Sequence, residues 1–381
     1  LTRTIVDIHV LQTVPPSNIN RDDTGSPKTA TYGGTRRARV SSQAWKRATR
    51  DAFTAMVETA KLGVRTKRVV ELLAETIATR SPAHAERSAV LAKTTLEAAG
   101  IKLKEPRKKN GEPPLEESAY LLFLSRAQLV SLAALAITAA KEAGDAAVVV
   151  DKKEAKARAD QAHSIDIALF GRMVADNTDL NVDAAAQVAH ALSVHEAATE
   201  YDYYTAVDDH KRDDPEEDAG AGMIGTVEFT SSTLYRYATV DVDRLNDNLG
   251  DPAATREAVE TFVRAFVTSM PTGKQNTFAN RTLPDAVLVL VRETQSINLI
   301  GAFEDAITDR DNGSRITAAV GRLADHGREV HEAYDEQPVA GWSVGVGERT
   351  AELGELGQRT TLDTLITSLG DTVADRVQAT L

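Results

Sequence analysis

NRDDTGSPKTATYGGTRRARVSSQAWKRATR, residues 20–50, is the stretch around which the rest of the chain is organised. It opens as a polar loop and reaches Gly33-Gly34, where two glycines permit backbone conformations and close approaches that a Cβ would obstruct. Residues 35–40 predict a short strand carrying alternate arginines. Ser41 and Ser42 are the residue type that caps a helix N-terminus. In the helix that follows, Trp45, Ala48, Ala52, Phe53 and Met56 recur on one face, which is the core side. Gln43, Lys46, Arg47 and Arg50 fall on the opposite face at spacings of three, four and seven, so their polar ends converge on one ligand surface.

The same block is basic within an acidic protein. From Lys28 to Arg50 every charged side chain is positive (Lys28, Arg36, Arg37, Arg39, Lys46, Arg47, Arg50), while the whole chain carries a formal net charge of -12. Binding follows the local field rather than the total charge, so an anionic partner is expected to dock here. The serine caps and free amides at the helix start add a second anion-friendly feature.

Composition bounds the rest. With 381 residues and about 150 residues per domain as a prior, two or three structural units, or one core with insertions, are expected. Hydrophobic residues at 42% and charged residues at 26% argue against global disorder. The absence of cysteine excludes a disulfide framework, a thiolate zinc site and a cysteine nucleophile. No apolar run approaches the roughly 18 to 20 residues that span a bilayer, and the opening residues lack a secretory pattern, so a cytoplasmic location without membrane contact is expected.

Working outward, residues 4–14 predict a strand that ends at Pro15-Pro16. Residues 60–164 change to an Ala-, Glu- and Lys-rich helical texture and read as an inserted helical subdomain. The basic run within it, at residues 102–109, reads as a solvated loop. Residues 165–170 predict a short buried strand, and residues 182–198 an amphipathic helix. Residues 200–207 alternate as a strand, with 224–230 as its partner, giving a projecting hairpin whose tip, 208–218, is acidic. Further strands are expected at 234–243, 286–292 and 296–302, and helices at 252–270, 316–334 and 362–381. Strand and helix mix throughout without an internal repeat, an α+β pattern.

Several separated blocks carry a family likeness: IHVLQ at 8–12, NRDD at 20–23, GGTRRARVSSQAWKR at 33–47, FGRM at 170–173, VHEAATEYDYYTAVDD at 194–209, GAGMIG at 220–225 and PTGKQNTFA at 271–279. In this order they resemble the CRISPR Cascade backbone subunit of type I-E systems, the CasC ("Cas seven") family. The resemblance implies an α+β fold with a modified RNA-recognition-motif (ferredoxin-like) core, split over residues 1–59, 165–196 and 229–381. It also implies a helical fingers insertion at 60–164 and a β-hairpin thumb at 197–228. Such subunits polymerise along a guide RNA, hold its backbone, and leave bases free to pair with target DNA, so sequence reading is delegated to base pairing. The implied partners are guide RNA, target DNA through that guide, further copies of the chain and other Cascade subunits, with no cofactor. Carried over residue by residue, the RNA-binding set is Arg21, Lys28, Ser41, Gln43, Lys46 and Arg50, with Arg172 and Met173 near the guide and Lys274, Gln275 and Asn276 close to the RNA or a neighbouring subunit.

Other readings of individual residues compete. Phosphates need donors rather than base-specific shapes, which suits the basic block. Trp45 lies on the apolar helix face and reads as core rather than as a stacking platform. Met173 reads as core on its own, and the resemblance alone places it beside a displaced base. Tyr201, Tyr203 and Tyr204 fit either base stacking or hairpin packing. Asp22 and Asp23 could bind Mg²⁺ and activate water, which makes a metal-dependent ribonuclease the alternative function. The simpler role for the pair is to orient Arg21 or cap a turn. His190, His195, Glu196 and Glu200 do not form H-E-x-x-H, and Gly273-Lys274-Gln275 lacks the upstream glycine and the Ser/Thr of a P-loop.

Overall fold

The computed structural model describes residues 3–106, 115–144, 146–174, 177–206, 223–308 and 313–380. The acidic tip at 208–218 and part of the basic run, at 107–109, lie outside them. The protein is a mixed α+β chain with a central sheet and many helices. It divides into two compact units, Leu1–Ala52, Val188–Thr239 and Phe262–Leu369 forming one, and Phe53–Gln187, Val240–Thr261 and Gly370–Leu381 the other.

The first unit is built on the strand Ile5–Ser17. The main path of its sheet runs in the order Gln358–Arg359, Ala340–Gly345, Ala286–Arg292, Ile5–Ser17, Met223–Asp241, Ala191–Ser193, Thr35–Val40, Thr29–Tyr32. Ile5–Ser17 lies antiparallel to Ala286–Arg292, with Ile5 opposite Arg292 and Leu11 opposite Ala286. Apolar residues of this sheet, among them Leu11, Tyr235, Leu288 and Leu290, pack against Ile316, Val320 and Leu323 of the helix Arg315–Ala333.

Both faces of the first strand are buried, so its polar residues need internal partners. Asp7 accepts from Tyr237 Oη at 2.7 Å and from Arg292 Nε at 2.8 Å. His9 Nδ1 lies 2.8 Å from Tyr235 Oη, and Gln12 Oε1 accepts from Arg236 Nη1 at 2.6 Å. The strand continues through Pro15-Pro16 to Ser17, beyond the stop read from the sequence, because proline's fixed φ is compatible with extended backbone.

At Gly33, φ is +56° and a Cβ would run into the Glu304 carbonyl, so the turn between Thr29–Tyr32 and Thr35–Val40 requires glycine. The helix Ser42–Met56 follows, with Trp45 and Phe53 fully buried. Met56, expected on the core face, is 40% exposed as the last helical residue. The strand Glu200–Ala206 pairs antiparallel with the start of Met223–Asp241, Glu200 opposite Phe229 and Ala206 opposite Met223. The partner and the 234–243 segment up to Asp241 are therefore one strand of 19 residues, and Val242 and Asp243 open the helix Val242–Leu249.

The second unit has its own apolar core, formed by Val70, Leu73, Ile77, Leu91, Leu96, Leu129, Leu132 and Ala136 on the helices Val69–Arg80, Ser88–Ala98 and Arg126–Ala143. Ser125 and Gln128 form a reciprocal capping box at the start of the last of these.

Three element assignments are corrected. Residues 165–170 form a helix, closed by Gly171 at φ +77°, and not a buried strand; a six-residue apolar run carries no periodicity that separates the two. Residues 182–198 contain the short strands Ala186–Val188 and Ala191–Ser193, not an amphipathic helix, because sheet partners are at hand: Ser193 pairs with Leu234, and Leu192 with both Tyr235 and Arg39. Residues 296–302 enter a 3₁₀ turn, Leu299–Phe303, whose cap Asn298 accepts from the Ile300 amide at 3.1 Å. The helices Pro252–Thr268, Arg315–Ala333 and Leu362–Thr380 and the strand Ala286–Arg292 follow the sequence reading closely.

Candidate nucleic-acid interface

Three segments of the first unit meet around a groove of about 680 Å³. The loop after the first strand supplies Ile19, Asn20 and Arg21; the Ser42–Met56 helix and its cap supply Ser41, Gln43, Arg47 and Asp51; and residues 269–281 supply Ser269, Lys274, Gln275, Asn280 and Arg281. Among its charged lining residues Arg21, Arg47, Lys274 and Arg281 are basic and only Asp51 is acidic, so the groove is positive within an acidic chain.

Each wall is fixed by local chemistry. Asn20 Oδ1 accepts from the Ser41 amide at 2.8 Å, tying the loop to the helix start. Ser41 Oγ accepts from the Ala44 amide at 3.3 Å, which is the capping role read from the sequence. His190 Nδ1 lies 3.1 Å from the Ser42 amide and accepts from it; burial first, then the charges of Arg39 and Lys28, hold this imidazole below its ordinary pKa and so favour the neutral acceptor. In the third wall, Gly273 is packed so closely on residues 18–19 that a Cβ would overlap the Ile19 carbonyl. Lys274 and Ala279 both adopt the left-handed region, at φ +51° and +46°, bracketing the short helix Gln275–Phe278.

Of the residues read from the sequence, Arg21, Ser41, Gln43, Lys274 and Gln275 line this groove together. Lys28 lines a smaller neighbouring cavity of about 20 Å³ with Asn20, Pro27 and Arg39. Lys46 and Arg50 are half-buried on the same helix, and Asn276 is exposed on the loop; these three are not groove-lining residues. Arg172 and Met173 belong to the second unit. There the Arg172 side chain is 1% exposed, donating to Leu180 O at 2.5 Å and to Asp160 Oδ1 at 3.1 Å. Its charge is engaged within the fold and not presented at the surface. Met173 is 82% exposed, correcting its reading as core.

Burial also sorts the remaining arginines of the basic block. Arg37 is fully buried and donates to Ser193 O, Phe303 O and Glu304 O at 2.9 to 3.0 Å, so this charge braces the sheet. Arg47 stays exposed, and its pair with Asp51 at 3.6 Å is screened by solvent. Trp45 is core, as its helix face required. Tyr204 packs against Gly225, directly opposite on the hairpin, while Tyr201 and Tyr203 are 67% and 63% exposed.

Asp22 caps a turn: one carboxylate oxygen accepts from the Thr24 amide at 2.9 Å, Thr24 Oγ1 at 2.7 Å and the Ser26 amide at 3.0 Å. These bonds, the Thr24 hydroxyl foremost, hold its carboxyl below the ordinary range. Among the described residues no group of three or more His, Asp or Glu side chains is placed to hold a metal ion, and no helix is long and apolar enough to cross a membrane.

Sequence reasoning missed Arg281, Ser269 and Asn280 as groove residues, since nothing in their local pattern marks them and only the fold brings their loop to the helix. Arg47 lies on the polar helix face that the spacing marks and lines the groove as well.

The fold recurs in known structures. The chain is similar to a chain of a "CRISPR RNA-guided surveillance complex, pre-nicking", with 34% identity and a TM-score of 0.82 over 97% of this chain and 100% of that one. It is also similar to a chain of a "CRISPR RNA-guided surveillance complex", at 30% identity and a TM-score of 0.71 over 96% and 99% of the two chains. No curated protein sequence matches it. Residues 6–368 match the model of the family described as CT1975-like protein, and with these matches spanning nearly its whole length, the chain belongs to that family.

Proposed function

We propose that the chain is a non-enzymatic backbone subunit of a CRISPR Cascade surveillance complex of type I-E, which polymerises along guide RNA by gripping its phosphates and presents the guide for pairing with target DNA. The observation that carries this reading is the groove itself. Four basic side chains from three segments converge there in a protein of net charge -12, within a family whose structural neighbours are named as RNA-guided complexes. Arg21, Ser41, Gln43, Lys274 and Gln275 contact the RNA backbone, Lys28, Lys46, Arg50 and Asn276 extend the contact, and Arg172 shapes the turn that presents Met173. The core is of the RNA-recognition type, with the fingers at 60–164 and the thumb at 197–228. A heterologous contact between copies that does not close produces the filament, to which other Cascade subunits attach in the cytoplasm.

Purified protein mixed with single-stranded RNA of guide length at low salt should form multimers of regular spacing. Absence of both binding and multimers would sink the reading. The nuclease alternative is met by incubation with guide and complementary RNA in Mg²⁺ or Mn²⁺. The turn-capping bonds of Asp22 favour an organising role, and intact RNA is the expected result. Cleavage that disappears in Asp23→Ala would replace the structural reading with the catalytic one.

A further inference from the structure

Arg236 is a fully buried arginine, 1% exposed, in the long strand Met223–Asp241. Its guanidinium lies 3.7 Å from the centroid of the Trp45 ring and 4.5 Å from that of Phe266. Nη1 donates to Gln12 Oε1 at 2.6 Å, Nη2 donates to the Phe266 carbonyl, and among the described residues Nε has no partner. Among the described residues no carboxylate pairs with it, and burial alone lowers its pKa to about 9. A buried cation without a counter-charge is costly, and a well-packed apolar replacement is often neutral or stabilising.

The partners are what make the arrangement informative. Trp45 sits between the groove-lining residues Ala44 and Arg47 on the helix wall. Phe266 lies three residues before Ser269, where the loop wall begins. Gln12, whose oxygen Arg236 holds, donates from Nε2 to Thr282 O at 3.0 Å and to Thr282 Oγ1 at 3.2 Å, next to Arg281 at the other end of that loop. Thr282 N in turn donates to Met270 Sδ at 3.3 Å, clasping the two loop ends together. One guanidinium therefore fastens the helix wall and both ends of the loop wall, while touching nothing in the groove.

We infer that Arg236 is a positioning residue for anion binding in the groove, retained at a cost to stability because it sets the spacing between the Ser42–Met56 helix and the 269–281 loop and leaves a buried positive charge for a bound phosphate backbone to offset. The inference rests on the RNA reading of the groove. Its signature is opposite movement of stability and binding, which a merely structural arginine would not give.

The test uses the full chain, wild type and the variants Arg236→Met and Arg236→Lys, with one single-stranded RNA titrated at several salt concentrations and thermal unfolding followed without RNA. Arg236→Met should unfold at the same or a higher temperature, bind RNA at least tenfold more weakly, and keep the wild-type salt slope, since every phosphate keeps its cationic partner. Arg236→Lys keeps the charge but loses the planar fork that stacks on Trp45 and donates to Gln12 and Phe266, so it should bind more weakly than wild type yet more tightly than Arg236→Met. Wild-type affinity in Arg236→Met overturns the inference. So does loss of stability and binding in parallel, with an unfolded Arg236→Met as its extreme, or a lysine variant as weak as the methionine one. A salt slope reduced by about 0.7 would make Arg236 a contact residue and equally overturn it. If the wild-type chain itself binds no RNA, the reading of the groove falls first and takes this inference with it.

Discussion

Burial decides what each charged residue does. Arg37 and Arg47 stand ten positions apart in the same basic run, yet the first is spent on three carbonyls inside the fold and the second faces the groove. Replacing Arg47 and Lys274 together by alanine should weaken RNA binding to a similar extent across sequences and lower the salt slope by about 0.7 for each phosphate no longer neutralised, with the unfolding temperature unchanged. Titration at four or five salt concentrations measures this, and an unaltered slope would remove both side chains from the interface. Histidines supply a second prediction. Burial first, and then the Arg292 charge, pushes His9 down to about 3 and His331 to about 4; burial and the Arg172 charge push His163 to about 4. Each stays neutral in the fold but protonates near 6.5 in the unfolded chain. The unfolded chain therefore binds more protons in that window, and the stability is complete above about pH 6.5 and declines as pH falls toward 4. Asp7 and Asp160, both raised mainly by burial, work in the opposite sense, but three histidines oppose two carboxyls. The unfolding temperature should fall steadily between pH 7 and pH 4.5, and a flat profile would contradict the assignment of neutral buried imidazoles. None of this burial was legible locally, because the Tyr237 and Arg292 partners of Asp7 lie 230 and 285 residues away in sequence.

Long, capped elements were legible and short apolar ones were not. The Ser42–Met56 helix announced itself through its serine caps and the recurrence of Trp45, Ala48 and Phe53, and the hairpin strands through their alternation. Residues 165–170 failed because a run of a few mostly apolar residues satisfies a strand and a buried helix equally, and 182–198 because the partners that make strands there, Leu234, Tyr235 and Arg39, are distant in sequence. The groove was half legible for the same reason: its helix wall has a periodic signature, whereas its loop wall is defined only by where residues 269–281 land. Gly273 is the element-level key to that landing, because its lack of a Cβ lets the loop close on the Ile19 carbonyl. Gly273→Ala should displace the loop from residues 18–20, weaken RNA binding severalfold, and leave the unfolding temperature nearly unchanged, since the loop contributes little to the apolar core. Should the alanine variant bind RNA like the wild type, the close approach at Gly273 would not be what shapes the groove.

At the scale of the whole molecule, a positive groove is carried by a chain of net charge -12, and the two signs act at different ranges. On the proposed reading, a phosphate in the groove would meet Arg21, Arg47, Lys274 or Arg281 at contact range, whereas copies arrayed along one RNA, each of net charge -12, would repel one another over many ångströms. Salt acts on both. The contact term weakens monotonically as counterions compete for phosphate. Repulsion between such copies would be relieved over the range in which the Debye length shrinks from about 30 Å at 0.01 M to about 10 Å at 0.1 M. The two can be separated by RNA length. On an RNA long enough for one copy, affinity should fall at every salt increment. On an RNA of guide length, the cooperativity between successive copies should rise from 0.01 M to 0.1 M salt even as the affinity of each copy declines. Native mass measurement of the copy distribution on short and long RNA at the two salts reads both quantities. A cooperativity that falls in step with single-copy affinity would mean that contacts between copies are themselves ion pairs, and that the acidic surface is part of the filament joint and does not resist it.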